Sequence, residues 1–126
     1  MNNGAIDRIR ITVSSEYQEN YSDPAREDHV FFYRIILENH GNSKISLLGK
    51  FSEVVETFGT RQALADNIKE PLEIYPGQKE TLDCSCSLRS PAGKLSGFFE
   101  VALQNDLKII DLPIPTTELF AKCLLN

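Results

Sequence analysis

Arg8-Ile9-Arg10-Ile11-Thr12-Val13 alternates strictly, with Ile9, Ile11 and Val13 on one side and Arg8, Arg10 and Thr12 on the other. A period of two is the mark of a half-buried strand. The stretch that follows, SSEYQENYSDPARED (14–28), is polar and carries the turn signal Asp23-Pro24, so it reads as a long loop with a short turn. His29 to Glu38, HVFFYRIILE, is apolar on both faces and rich in β-branched and aromatic residues, which predicts a central strand. Asn39-His40-Gly41-Asn42 tolerates left-handed backbone and predicts a tight turn. Ile45 and Leu47 begin another strand, and Phe51 to Thr57 either continues it or starts a new one before a turn at Gly59. Gln62 to Ile68, QALADNI, has weak helical propensity and reads better as a loop or a short edge strand.

Leu72 and Ile74 lead into Tyr75-Pro76-Gly77, which places Pro and Gly where a type II turn wants them. Thr81 to Leu88 is a strand, broken by Ser90-Pro91-Ala92-Gly93. Gly97 to Leu103 and Lys108 to Ile114 are two more, joined by the hairpin signal Asn105-Asp106. Leu119, Phe120, Leu124 and Leu125 give the C-terminal stretch an apolar surface that packs on the body. About seven or eight short strands, with no amphipathic helix of three turns, predict an all-β sandwich. A chain of 126 residues suits one domain, spanning 1–126, with a single core.

Composition narrows the function classes. The chain is 41% hydrophobic and 25% charged, as soluble globular proteins are. It has no apolar run long enough for a transmembrane helix, so no membrane role is expected. The net charge is −5 and the basic residues are scattered, which argues against nucleic acid as a partner. The start, MNNGAIDRIRI, lacks the pattern of a secretory signal, and the three cysteines are an odd number. Both features point to reduced thiols and a cytoplasmic protein.

Two of those cysteines lie one residue apart, in TLDCSCSL (81–88). In a strand, Leu82, Cys84, Cys86 and Leu88 share one face, and Thr81, Asp83, Ser85 and Ser87 share the other. That partition reads both thiols as small buried hydrophobes. A zinc site needs two more ligands, for which Cys123 with His29 or His40 offers no paired motif. The spacing is not that of a C-x-x-C redox pair. A disulfide within the pair is disfavoured by the span of an extended strand. His29 at a strand start and His40 in a turn read as surface or loop histidines without a nucleophile beside them. Glu27-Asp28-His29 reads as a solvated polar run. Ser90 to Gly93 could cradle an anion, although turn formation alone explains its composition. No catalytic, cofactor-binding or metal-binding residues are assigned.

Several segments resemble the ApaG family. They are VFFYRIILENHGNSKISLL, EIYPGQKETLDCSCSLRSPAGKLSGFFEV and DLPIPTTELFAKCLLN, and together they extend the resemblance over nearly the whole chain. The matching positions are Tyr33, Ile35, Glu38, Asn39, Leu47 and Leu48, then Pro76 and Gly77, then Cys86, Leu88, Pro91, Gly93 and Gly97. Pro113, Ile114, Pro115, Leu125 and Asn126 follow, and Tyr17, Ser22 and Pro24 fit the family's loop before the aromatic strand. The resemblance implies an immunoglobulin- or fibronectin-III-like sandwich of two antiparallel sheets, in agreement with the strand count. Two departures mark a divergent member. Gly49-Lys50-Phe51 stands where relatives carry an R-H-W segment, one residue shorter, and Ala63 to Pro71 replaces a glycine-rich stretch. Without those glycines, close backbone approach to a phosphate is lost.

The function this implies is a non-enzymatic protein-binding domain, loosely linked through the family to cobalt and magnesium homeostasis, with no cofactor. The expected partner is an unidentified protein, with homodimerisation through a sheet edge as a further option. Residues 14–28 and 59–71 are the candidate recognition surfaces. The alternative is a binder of a divalent metal ion or of a small phosphorylated ligand.

Overall fold

The computed structural model describes residues 8–64, 68–104 and 106–121. Eight strands run through them: β1 (Ile9–Tyr17), β2 (His29–Asn39), β3 (Ile45–Glu56), β4 (Arg61–Leu64), β5 (Leu72–Ile74), β6 (Lys79–Leu88), β7 (Ala92–Leu103) and β8 (Asp106–Phe120). They form two antiparallel sheets, one in the order β1-β2-β6 and the other β4-β3-β7-β8, with β5 also pairing with β3. The expected all-β sandwich is therefore present.

β2 is the central strand of the small sheet, as its sequence predicts. Only one of its faces is deeply buried: Phe31, Tyr33, Ile35 and Leu37 point inward, while Phe32 and Arg34 are exposed. Each sheet of a sandwich is covered on one side only, so the second apolar row of β2 faces out. β1 is longer than its alternating sequence suggests. Ser14 to Tyr17, read as loop, pair with Phe31 to Arg34, and Tyr17 returns to the core. Backbone pairing with β2 carries the strand through these polar residues. The remaining loop contains two short 3-10 turns, Glu19–Tyr21 and Pro24–Arg26.

β3 is one continuous strand through Phe51 to Glu56, and β4 is the short edge strand that was the favoured alternative to a helix. Gln78 N–H donates to the Tyr75 carbonyl at 3.0 Å, and Gly77 has φ +83°, as a type II turn requires. β8 extends well beyond Lys108 to Ile114, and its Pro113 and Pro115 are tolerated because it is an edge strand. Leu119 is buried and Phe120 exposed, whereas Asn105, Leu124 and Leu125 lie outside the described residues.

One irregularity sets the character of the interior. Leu47 pairs with Val101 and Gly49 with Glu100, so Leu48 is an extra residue in β3. Such a bulge reverses the alternation downstream. Before it, Ile45 and Leu47 point inward; after it, Lys50, Val54 and Glu56 do. Lys50 and Glu56 are thus carried between the sheets, among Leu95, Phe99 and Val101 of β7 and Phe31, Tyr33 and Ile35 of β2.

Candidate functional site

The cross-strand row Ser15–Tyr33–Cys84 lies on the inner face of the small sheet. Opposite it, β3 presents Lys50, whose side chain is only 1% exposed. Lys50 Nζ donates to Cys84 Sγ at 3.4 Å and lies 5.6 Å from the centre of the Tyr33 ring. The ammonium is therefore held by a π face and a polarisable sulfur. Burial, followed by the neighbouring Cys84 and Cys86, holds the Tyr33 phenol well above its ordinary range. Ser52 is close enough to oppose that shift, yet its buried hydroxyl oxygen lies outside hydrogen-bond geometry. The Cys86 thiol, one pair further along β6, is pushed up to about 11 by burial, then by Cys84 and Glu56.

The faces of β6 fall as its sequence predicts. Cys86 and Leu88 are buried, Leu82 and Cys84 half-buried, and the alternate residues exposed. The neighbour of Cys84 was not legible, because nothing in plain alternation sends Lys50 inward. The available signal was Gly49, since a glycine inside a strand often marks a bulge.

Other polar groups in the interior are engaged in holding the fold. Glu56 Oε1 accepts from Ser90 N–H at 2.7 Å and from Ser90 Oγ–H at 2.9 Å. The Ser90 amide, in the turn that could have cradled an external anion, thus faces a carboxylate of the chain itself. Asn39 Nδ2 donates to the Ser43 and Ile74 carbonyls at 2.9 Å each, and its Oδ1 accepts from Gly41 N–H. This one side chain joins the β2–β3 turn to β5. His29 is a correction to the surface reading. It is buried, because it begins β2 on the same face as Phe31, and its Nδ1 shares a hydrogen bond with the Tyr17 hydroxyl at 3.3 Å. His40 is exposed beside Glu38. Asp28 is not merely solvated, since the Ser87 hydroxyl donates to it. Among the described residues, no three His, Cys, Asp or Glu side chains converge as metal ligands, and Cys123 lies outside those residues. Among the same residues, no helix is long and apolar enough to cross a membrane.

The outer face of the small sheet carries a second set of groups. Tyr21, 68% exposed, stacks on Phe32, 48% exposed, with ring centres 6.2 Å apart. Beside them Arg34 and Asp83 form a two-bonded ion pair at 2.6 and 3.1 Å, which holds the Asp83 carboxyl below its usual range. An open depression runs here, lined by Glu16, Phe32, Arg34, Asp83 and Ser85 among others. The 18–28 segment borders it and is pinned by Ser22, whose hydroxyl donates to the Gln18 carbonyl and accepts from Val30 N–H. The other proposed surface, 59–71, follows Phe58, which is 87% exposed; residues 65–67 lie outside the described ones.

Residues 19–103 match the family described as the ApaG domain. Protein ApaG of Agrobacterium fabrum is 23% identical over 113 residues, which cover 88% of this chain and 86% of that protein. Protein ApaG of Salmonella arizonae is 27% identical over 110 residues, covering 85% and 88%. The crystal structure of the ApaA protein of Bordetella pertussis overlays with a TM-score of 0.83 at 19% identity, over 90% of this chain and 93% of the other. That overlay speaks for the fold, and the match over residues 19–103 speaks for descent: the chain belongs to the ApaG family.

Proposed function

We propose that this protein acts as a non-enzymatic protein-binding domain. The observation that carries this reading is the exposed Tyr21–Phe32 stack at the junction of the 18–28 segment and the outer face of the small sheet. Exposed aromatics within a polar rim are the usual anchors of protein interfaces. The Ser22 bonds fix the segment beforehand, which lowers the ordering cost of association. The engagement of Glu56, Asn39 and His29 in structural hydrogen bonds supports a binding role over a catalytic one. On this reading the family's association with cobalt and magnesium is indirect and runs through the bound protein.

The test is crosslinking in cell extract with the wild-type chain and with a Tyr21→Ser/Phe32→Ser variant whose circular dichroism is unchanged. A protein captured by the first and lost with the second supports the reading. Capture that is equal for both, or no specific capture, overturns it. Calorimetric titration with cobalt, magnesium or a nucleotide is expected to give flat isotherms, and saturable heat would favour the small-ligand alternative.

A further inference from the structure

We propose that Lys50 and Cys84 are an oxidative modification site, at which a peroxide drives formation of a covalent bond between Lys50 Nζ and Cys84 Sγ. The two atoms are already 3.4 Å apart, on β3 of one sheet and β6 of the other. Lys50 is buried, so its amine is confined beside the sulfur, and confinement of two reactants is what makes an intramolecular step fast. Cys84 is half-buried whereas Cys86 is buried, which leaves Cys84 the more accessible of the two thiols to a small oxidant.

The chemistry balances in two steps. The Cys84 thiolate attacks hydrogen peroxide, the O–O bond breaks, and a sulfenic acid and a hydroxide result; the hydroxide takes a proton from the Lys50 ammonium, giving one water and the free amine, while sulfur loses two electrons and peroxide gains them. The unprotonated Lys50 amine then attacks the sulfenyl sulfur. The S–O bond breaks, the departing hydroxide takes the amine proton, and a sulfenamide and a second water form. A thiol reverses the link by attacking sulfur, releasing the amine and passing through a mixed disulfide.

Cys86 is a poor competitor. Residues two apart on an extended strand are separated by roughly 6.6–6.8 Å, near the upper limit for a disulfide. Its thiol, pushed up to about 11, offers little thiolate for attack.

The test is peroxide treatment of the wild-type protein followed by intact mass and peptide mapping. The expected product is about 2 Da lighter, through loss of two hydrogens. In it the Lys50 and Cys84 peptides are joined, trypsin no longer cleaves after Lys50, and dithiothreitol restores the original mass. A Lys50→Met variant is expected to lose the link and to accumulate a sulfenic acid trapped by dimedone. Oxidation of Cys84 with the Lys50 peptide unlinked overturns the proposal. So does a mass loss that maps to a Cys84–Cys86 disulfide, or a Cys84 that does not react.

Discussion

Lys50 carries the cost of removing an ammonium from water, offset in part by the Tyr33 ring and the Cys84 sulfur, and a buried charge with its partners is commonly replaceable by an apolar side chain. An apolar side chain of similar volume should therefore be tolerated. Lys50→Met is expected to leave the melting temperature unchanged or raised, whereas Lys50→Ala opens a cavity and should cost about 2–4 kcal/mol in urea unfolding. Asn39 behaves in the opposite way, because its side chain satisfies two carbonyls and one amide at once. Asn39→Ala should cost about 2–3 kcal/mol by the same measurement, since buried groups lose their partners. At this scale the faces of Cys84 and Cys86 were legible from alternation, because β6 pairs with β2 without interruption. The environment of Cys84 was not, because its neighbour comes from the opposite sheet and its orientation depends on an extra residue two places upstream.

Among the elements, the pairing of β3 with β7 is the most exacting. A Cβ at Gly97 would stand 2.2 Å from the Phe51 carbonyl oxygen, and a backbone atom cannot swing away as a side-chain end can. Gly97→Ala is expected to cost about 3 kcal/mol or more, with loss of amide-exchange protection concentrated in β3 and β7. Further along, Glu56 ties the end of β3 to the β6–β7 turn. Glu56→Ala leaves the Ser90 amide without its acceptor and should cost about 1–3 kcal/mol, whereas Glu56→Gln keeps a carbonyl oxygen and should cost less. Strand positions were readable wherever apolar periodicity was strong, as in β2, β6 and β7 from Gly97 on, whereas Ala92 and Gly93, read as part of a break, open β7 by pairing with Phe120 and Leu119. The last residues of β1 were missed because Ser14 to Glu16 are held by backbone pairing, to which side-chain polarity is blind.

For the molecule as a whole, the interior thiol and phenol make stability depend on alkalinity. Cys86 has an ordinary value of 9.0 and is pushed up to about 11 in the fold. Between those values the unfolded chain has released the proton and the folded one retains it, so stability falls as pH rises. The contribution is complete below pH 9.0 and lost through about 11, and Tyr33 extends the decline upward. Urea midpoints should drop between about pH 8 and about pH 10.5, and Cys86→Ala should flatten part of that drop. The sandwich was visible in the sequence because its many short runs and turn residues agree with one another, while Tyr21–Phe32 was not, because Tyr21 comes from an aperiodic stretch. The extra residue at Leu48 separates the two halves of β3 into different phases of the sequence. Deleting it would remove the bulge and still leave Gly49 opposite Glu100 and Lys50 opposite Phe99, so Lys50 and Glu56 would stay inside. One residue added after Gly49 and taken up without a second bulge would do the reverse, sending Lys50 and Glu56 to water and changing what chemistry this interior holds.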